Sequence, residues 1–203
     1  YPNDGYGLFL AARVDYMSDS WELAIEKSKK ALQFAQITQV VRSMLHNLLG
    51  NCYKNLGDSA ASVVEYLNAS KYSVDNRNKA VDYSNYLFNL HYLPHIHQED
   101  LYKAHVAYNE FFSNINIYQH IKKERSSKIK IGYISPDMRY HVVIFFSYTL
   151  FKNYDKSLFY VTCYAKCAED SVSQNIAGLV DRWRNISAMD DAAAAKCIYE
   201  DQI

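Results

Sequence analysis

The chain has 203 residues, enough for one large domain or two small ones. Lysine plus arginine and aspartate plus glutamate number 22 each, so no net charge draws it toward nucleic acid or an anionic membrane surface. Only 3 prolines and 6 glycines occur, which favours a mainly helical chain with few tight turns.

A helical repeat pattern occupies the amino-terminal half of the sequence. Its clearest copy places histidine, leucine, glycine, tyrosine and small residues at regular intervals: His46, Leu49, Gly50, Tyr53, Ser62, Tyr66 and Ala69. The order and spacing resemble the tetratricopeptide consensus, with histidine in place of the usual tryptophan. Small residues at these positions let two helices cross closely, while the tyrosines are predicted to fill the space between them.

A weaker copy of the same pattern comes before it. Ala12 and Ala24 occupy small positions there, and Ala31 corresponds to Ala69 of the clearer copy. The separation of the two copies exceeds the usual repeat length of 34 residues by about four. Two copies in tandem predict a stack of helix pairs.

Two more helices are predicted after the repeats. Residues 78–90 form the first, with Val81, Leu87 and Leu90 expected to be buried against the preceding repeat. Residues 98–112 form the second, which has Leu101, His105 and Tyr108 spaced along one face. The first of them is predicted to continue the helical stack.

A polar connector separates two predicted domains. Tetratricopeptide-like repeats and their trailing helices are assigned to residues 1–113, the linker to 114–127, and an α/β lobe to 128–203. The linker carries a basic run at residues 122–125, which is interpreted as a solvated connector in preference to a phosphate-binding patch.

Strand and helix patterns alternate after the linker. Strands are predicted at residues 128–134 and 158–164, with a helix at 142–153 between them. This order predicts right-handed crossovers in a parallel sheet, as in a Rossmann-like lobe. The predicted fold class is therefore α-helical tetratricopeptide-like repeats followed by a partial α/β lobe.

Two helices complete the predicted lobe. Residues 171–183 form the first, with Trp183 on its apolar face and Asp181 facing solvent, and Asp190 caps the second. Only two strands are recognisable, and the alternation calls for a further strand after Ile203. We therefore expect the chain to stop inside a domain.

A turn and a histidine follow the first predicted strand. Ser135, Pro136 and Asp137 form the turn, and His141 stands directly before the helix at 142–153. In open α/β sheets, ligands bind outside the carboxyl ends of the strands. The amides and dipole at a helix start favour an anion such as a diphosphate. The sequence therefore makes His141 the candidate site residue.

The cysteines and clustered histidines predict no metal site. The cysteines form no dense framework, which predicts free thiols in a reducing compartment and hence a cytoplasmic protein. Cys163 and Cys167 lack the two-residue spacing of a zinc motif. His91 and His105 fall in a histidine-rich stretch, but Pro94 interrupts any regular helical spacing of its histidines.

Taken together, these segments resemble the O-linked N-acetylglucosamine transferase family, whose members join tetratricopeptide repeats to a two-lobed glycosyltransferase. Residues 84–94 are like the segment that follows the last repeats of bacterial members. Residues 131–141 look like the opening strand and histidine loop of the first catalytic lobe. Residues 159–164 and 181–184 are similar to the second strand and following helix of that lobe.

The resemblance implies a parent enzyme that moves N-acetylglucosamine from UDP-N-acetylglucosamine to serine or threonine hydroxyls of proteins. Such enzymes invert the configuration at the anomeric carbon of the sugar, and they need neither a metal nor another cofactor. His141 matches the family's active-site histidine, and whether it acts as a base or positions substrate stays open. The second lobe would lie beyond Ile203, so the fragment itself is expected to be inactive.

The resemblance also implies two partners, the UDP-sugar and an acceptor protein or peptide held in the repeat groove. Neither nucleic acid nor a membrane is expected. The alternative interpretation is an adaptor protein whose repeats bind peptides, with a non-catalytic α/β remnant. The repeats alone allow this alternative, because stacked helix pairs present an extended groove.

Overall fold

The structure, a computed structural model, describes residues 4–115, 117–119 and 128–203. Two compact units make up the chain, Tyr1–Asn116 and Ile117–Ile203, and each is described by itself. The basic run at 122–125, predicted to be a solvated connector, lies outside the described residues.

Helices form the first unit. In chain order they are α1 Gly5–Met17, α2 Trp21–Leu32, α3 Gln39–Asn55, α4 Ser59–Tyr72, α5 Asn76–Leu90 and α6 Gln98–Ala107, followed by a 3₁₀ turn at Tyr108–Phe112. Asp19 and Gly57 have positive φ angles of 54° and 79° in the turns of the first two helix pairs. The same backbone conformation therefore recurs in both copies of the repeat.

Polar side chains fix the starts of these helices. Asp4, Thr38, Asp58 and Asp75 each precede a helix, and each accepts a hydrogen bond from a backbone N–H of the first turn. Such caps satisfy amides that have no partner within the helix. The local sequence therefore sets where α1, α3, α4 and α5 begin.

Small residues lie where the repeat helices touch, as the repeat pattern predicts. Ala12, Ala24 and Ala69 are fully buried. At Gly50, an added Cβ would lie 2.9 Å from the ring of Tyr66, so α3 and α4 approach as closely as the glycine allows. This contact between two consensus positions supports a repeat of the tetratricopeptide type.

The helices after the repeats differ from the prediction in two details. The helix at 98–112 ends its α-helical part at Ala107 and continues as the 3₁₀ turn. Leu87 and Leu90 are buried as expected, but Val81 is 53% exposed. The prediction for Val81 was wrong because its face of α5 borders a groove instead of a neighbouring helix.

The second unit alternates strands and helices. Its elements are β1 Ile129–Ser135, α7 Val142–Asn153, β2 Phe159–Ala165, α8 Ser171–Ala177, β3 Arg182–Asn185 and α9 Asp191–Glu200. The strands form a parallel sheet in the order β1-β2-β3. The described residues thus form helical repeats followed by a small α/β lobe, which confirms the predicted fold class.

The helix predicted at 171–183 was wrong in its second half. α8 ends at Ala177, and Trp183 lies in β3, where it is paired with Cys163 of β2. The apolar residues of α8, the following turn and β3 have together the spacing of one longer helix. Because β3 has only 4 residues, it is too short for the apolar and polar alternation of a strand to be recognised. The described sheet consequently has three strands instead of the two recognised in the sequence.

The core of the α/β unit lies between the sheet and its helices. Ile144 and Phe151 of α7, Val161 and Cys163 of β2, and Ile176 of α8 are buried in it. Burial raises the pKa of the Cys163 thiol to about 12, so this cysteine is an inert packing residue. All four cysteines of the chain are free.

Candidate functional site

The loop after β1 brings His141 to the carboxyl end of that strand. Asp137 N–H donates a hydrogen bond to Ser135 Oγ at 3.0 Å, which closes the turn predicted there. His141 is the residue before α7, and its Nδ1 accepts a hydrogen bond from Val143 N–H at 3.3 Å. The imidazole therefore caps the helix whose amides were expected to face an anion.

The hydrogen bond made by the His141 ring determines its neutral tautomer. Because Nδ1 accepts a hydrogen bond, the proton of the neutral ring lies on Nε2. Nε2 is 3.9 Å from Asp137 Oδ1, beyond hydrogen-bond distance, and the side chain is 39% exposed. A ligand at the start of α7 would therefore meet an N–H donor.

Two side chains at the start of α8 form hydrogen bonds with the loop that carries His141, residues 136–141, which we call the His141 loop. Tyr140 N–H donates to Asp170 Oδ2 at 2.8 Å, and Ser173 Oγ donates to Met138 O at 2.8 Å. The hydrogen bond from Tyr140 N–H, followed by that from Ser173 N–H, holds the pKa of Asp170 below its ordinary value. Sequence reasoning missed both residues, although Asp170 and Ser173 have the spacing of a capping box.

More polar side chains follow β2 and β3 at the same edge of the sheet. Lys166 pairs with Asp191 at 2.8 Å. Glu169 accepts hydrogen bonds at 2.8 Å from Trp183 Nε1 and from Asn185 Nδ2. Trp183 and Asn185 could not be assigned to this edge from sequence, because β3 was interpreted as the end of a helix.

Asp181 does not face solvent on a helix, as the sequence had indicated. It directly precedes β3, and its Oδ2 accepts hydrogen bonds from Tyr154 Oη at 2.7 Å and from Val161 N–H at 2.8 Å. Partial burial opposes its charge, but these two bonds outweigh that effect and hold the pKa of Asp181 below its ordinary value. Asp181 is a structural tie at the amino end of β3, away from His141.

A groove runs along α1, α3 and α5 of the repeat unit. It encloses about 550 Å³ and has exposed apolar residues, including Met44 and Val81, on its wall. Its floor is polar: buried Asp82 accepts hydrogen bonds from Asn47 Nδ2 at 2.6 Å and from Ser73 Oγ at 2.8 Å. Such a mixture suits an extended peptide, whose backbone needs polar partners and whose side chains need apolar ones.

The clustered histidines come together only as one pair. His91 Nε2 lies 3.1 Å from His105 Nε2, linking the end of α5 to α6. Within residues 4–115, 117–119 and 128–203, no group of three or more histidine, cysteine or acidic side chains is arranged to hold a metal ion.

Comparison with solved structures finds a similar fold. The chain superposes on a mutant of the O-GlcNAc transferase of Thermobaculum terrenum with a TM-score of 0.69 and 18% sequence identity. The likeness is one of fold. The match covers 100% of this chain and 38% of that chain, so the fold of helical repeats and α/β lobe is shared throughout.

Sequence comparison adds no family assignment. No family model matches the chain, and no curated protein matches it. In the part of the chain that the structure describes, no helix combines the length and apolar character needed to cross a bilayer.

Proposed function

We propose that the chain belongs to a protein glycosyltransferase that transfers N-acetylglucosamine from UDP-N-acetylglucosamine to serine or threonine hydroxyls. The observation that carries this proposal is the position of His141, at the carboxyl end of β1 and at the start of α7. The shared fold with an O-GlcNAc transferase supports it. We assign residues 1–113 to the repeats, 114–127 to the linker and 128–203 to part of the first catalytic lobe.

The donor substrate is proposed to bind at the start of α7. A helix start favours negative charge because its dipole is positive there. At α7 the Val143 N–H is already capped by His141 Nδ1, so the hydrogen-bond donor offered to the ligand is the Nε2–H of the ring. The diphosphate of a UDP-sugar has that charge. No metal or other cofactor is proposed for this step, and the repeat groove is proposed to hold the acceptor protein or peptide.

Within this proposal, His141 is a hydrogen-bond donor and not the base. A base acting through Nε2 would need that nitrogen unprotonated, whereas the helix cap at Nδ1 keeps the proton on Nε2. An Nε2–H aimed at the diphosphate would stabilise the charge that develops on the leaving group. His141 would then support departure of UDP.

The test uses the full product of the gene and radiolabelled UDP-N-acetylglucosamine with a protein acceptor. His141→Ala removes cap and donor and is expected to lower kcat by about 100-fold, as for the loss of one preorganised donor. His141→Asn can still cap the helix and retains an N–H donor, so it should keep more activity than His141→Ala.

Three results would contradict the proposal in whole or in part. Unchanged transfer in His141→Ala would remove His141 from the site. Equal loss in His141→Ala and His141→Asn would favour the base over the donor. Absence of UDP binding to the full product in calorimetry would count against the glycosyltransferase itself.

The second candidate function is a peptide-binding adaptor. The groove of about 550 Å³ with its polar floor at Asp82 favours it, because it offers a peptide site independent of the α/β unit. This candidate predicts peptide binding to the full product without UDP binding. Calorimetry with each ligand separates the two functions.

In either case, the four free cysteines fit a protein of the reducing cytoplasm.

A further inference from the structure

The His141 loop is fastened at two backbone points to the start of α8. The amide of Tyr140, next to His141, donates to Asp170 Oδ2 at 2.8 Å. The carbonyl of Met138 accepts from Ser173 Oγ at 2.8 Å, and this contact is buried. Residues 136–141 are thus held by a segment about thirty positions further along the chain.

Asp170 divides its two oxygens between two tasks. Oδ1 accepts hydrogen bonds from Val172 N–H and Ser173 N–H, both at 2.9 Å, and so caps α8. Oδ2 accepts from Tyr140 N–H and so holds the loop. One carboxylate therefore joins a helix cap to the loop that carries His141.

We propose that Asp170 and Ser173 are positioning residues for His141. This inference rests on the proposed function. Asp170 and Ser173 would hold His141 at the start of α7 before the donor substrate binds. A loop that is ordered before binding loses less conformational entropy when the substrate binds, and its hydrogen-bond donor is already oriented. The turn held at Met138 and Tyr140 directly precedes His141, so the tether orders the backbone from which the imidazole caps α7.

The two-oxygen arrangement allows a selective variant. Asparagine is as good a helix cap as aspartate, and its single carbonyl oxygen can still accept from the α8 amides. Its NH₂ group cannot accept from Tyr140 N–H. Asp170→Asn therefore keeps the cap and removes the tether. The matched control is Asp190→Asn, because Asp190 caps α9 through Ala193 N–H in the same way.

The first measurement needs no catalysis and uses the 203-residue chain itself. Amide exchange by NMR should become about tenfold faster at Tyr140 in Asp170→Asn, because its acceptor is lost. The imidazole signals of His141 should shift or broaden. Asp190→Asn should change neither. Unaltered Tyr140 exchange and His141 signals in Asp170→Asn would overturn the inference.

Ser173→Ala provides a second route to the same loop. It removes the donor to Met138 O, and we expect it to move the His141 signals in the same direction as Asp170→Asn. Retained far-UV circular dichroism in each variant would show that the sheet and helices persist. His141 signals that respond to neither variant would contradict the assignment.

The second measurement uses the full gene product with UDP-N-acetylglucosamine. Asp170→Asn should lower kcat about tenfold with a smaller change in KM, and should cost little more when His141 is already alanine. Loss of the same size in both backgrounds would overturn the positioning role. If the wild-type protein shows no transfer while the variants show the expected NMR changes, the proposed function is refuted and the tether is still supported.

Discussion

Asp201 is a charged residue that ties the turn after α9 to the sheet. Its buried carboxylate accepts hydrogen bonds from Tyr164 Oη of β2 and from Arg182 and Arg184 of β3. The bond from Arg184 is the main cause that lowers the pKa of Asp201 from 3.8 to about 2, against the opposing effect of burial. The folded α/β unit therefore favours the ionised form.

This shift predicts an acid-dependent loss of stability. Because the folded pKa lies below the unfolded one, the contribution is complete above pH 3.8 and declines as pH falls toward about 2. Asp201→Asn should lower the free energy of unfolding of the α/β unit by about 2 kcal/mol at pH 7, and by less at pH 2.5.

Urea unfolding followed by Trp183 fluorescence, in a Trp21→Phe background, measures the effect of Asp201→Asn. Asp191→Asn is the control, since the Asp191 side chain is 95% exposed and its surface ion pair with Lys166 should contribute less than about 1 kcal/mol. An Asp201→Asn effect of equal size at pH 7 and pH 2.5 would refute the linkage.

Gly50 is a residue at which close packing of α3 against α4 leaves no room for a larger side chain. The Cβ of Gly50→Ala would meet the ring of buried Tyr66 at 2.9 Å. We expect a destabilisation of about 1–3 kcal/mol from overpacking, measured by thermal unfolding. Gly178→Ala is the comparison, because its Cβ would find its nearest neighbour at 3.5 Å and should change stability little. Equal effects would argue against close contact of α3 and α4.

Among the elements, α7 is the most apolar on its exposed side. Its exposed apolar residues are Val142, Val143, Phe145, Phe146, Tyr148 and Leu150. Phe146 is 83% exposed, whereas Phe151 on the opposite side is buried in the core. One helix thus anchors the sheet and presents a wide apolar surface at once.

This surface should bind a hydrophobic dye. Replacing Phe145 and Phe146 by serine should reduce the fluorescence of the dye ANS with the 203-residue chain, because the variant removes large apolar area without touching the core. Phe88→Ser is the matched control, since Phe88 is exposed on α5. Dye binding that falls as much in the control as in the double variant would locate the surface elsewhere.

At the scale of the whole molecule, the chain has two units with separate cores. The first is built on helix contacts around residues such as Leu45, and the second on the sheet around Val161. We therefore expect the two units to lose stability independently.

Hydrogen exchange of the intact chain tests this independence. Gly50→Ala should speed exchange in α3 and α4 and leave β2 unchanged, while Asp201→Asn should do the reverse. Each variant serves as the control for the other. Faster exchange in β2 of Gly50→Ala would mean that the units unfold together.

Local sequence signals predicted part of this molecule closely. The helix predicted at 142–153 coincides with α7, because the turn at Ser135–Asp137 and the apolar residues after His141 act within one segment. The cap at Asp190 is found as predicted, since an N-cap bond joins residues only three positions apart. The repeat pattern was readable for the same reason, because its small residues recur at fixed spacing.

Other features depended on partners far away in sequence. The strand at Arg182–Asn185 is recognisable only once β2 lies beside it, since four residues carry too little alternation by themselves. Asp181 looked like a surface charge until Tyr154 and Val161 supplied its hydrogen bonds. These errors have one origin, the absence of pairing information in a local pattern.

By itself, the sequence determined the helical repeats, the first two strands and the position of His141 before a helix. These depend on spacing, caps and turns, all of which act within a few residues. The tertiary structure alone decided the third strand, the groove of the repeats and the tether from Asp170 to Tyr140. Each of these requires folding to bring distant segments together, and the tether joins residues 30 positions apart.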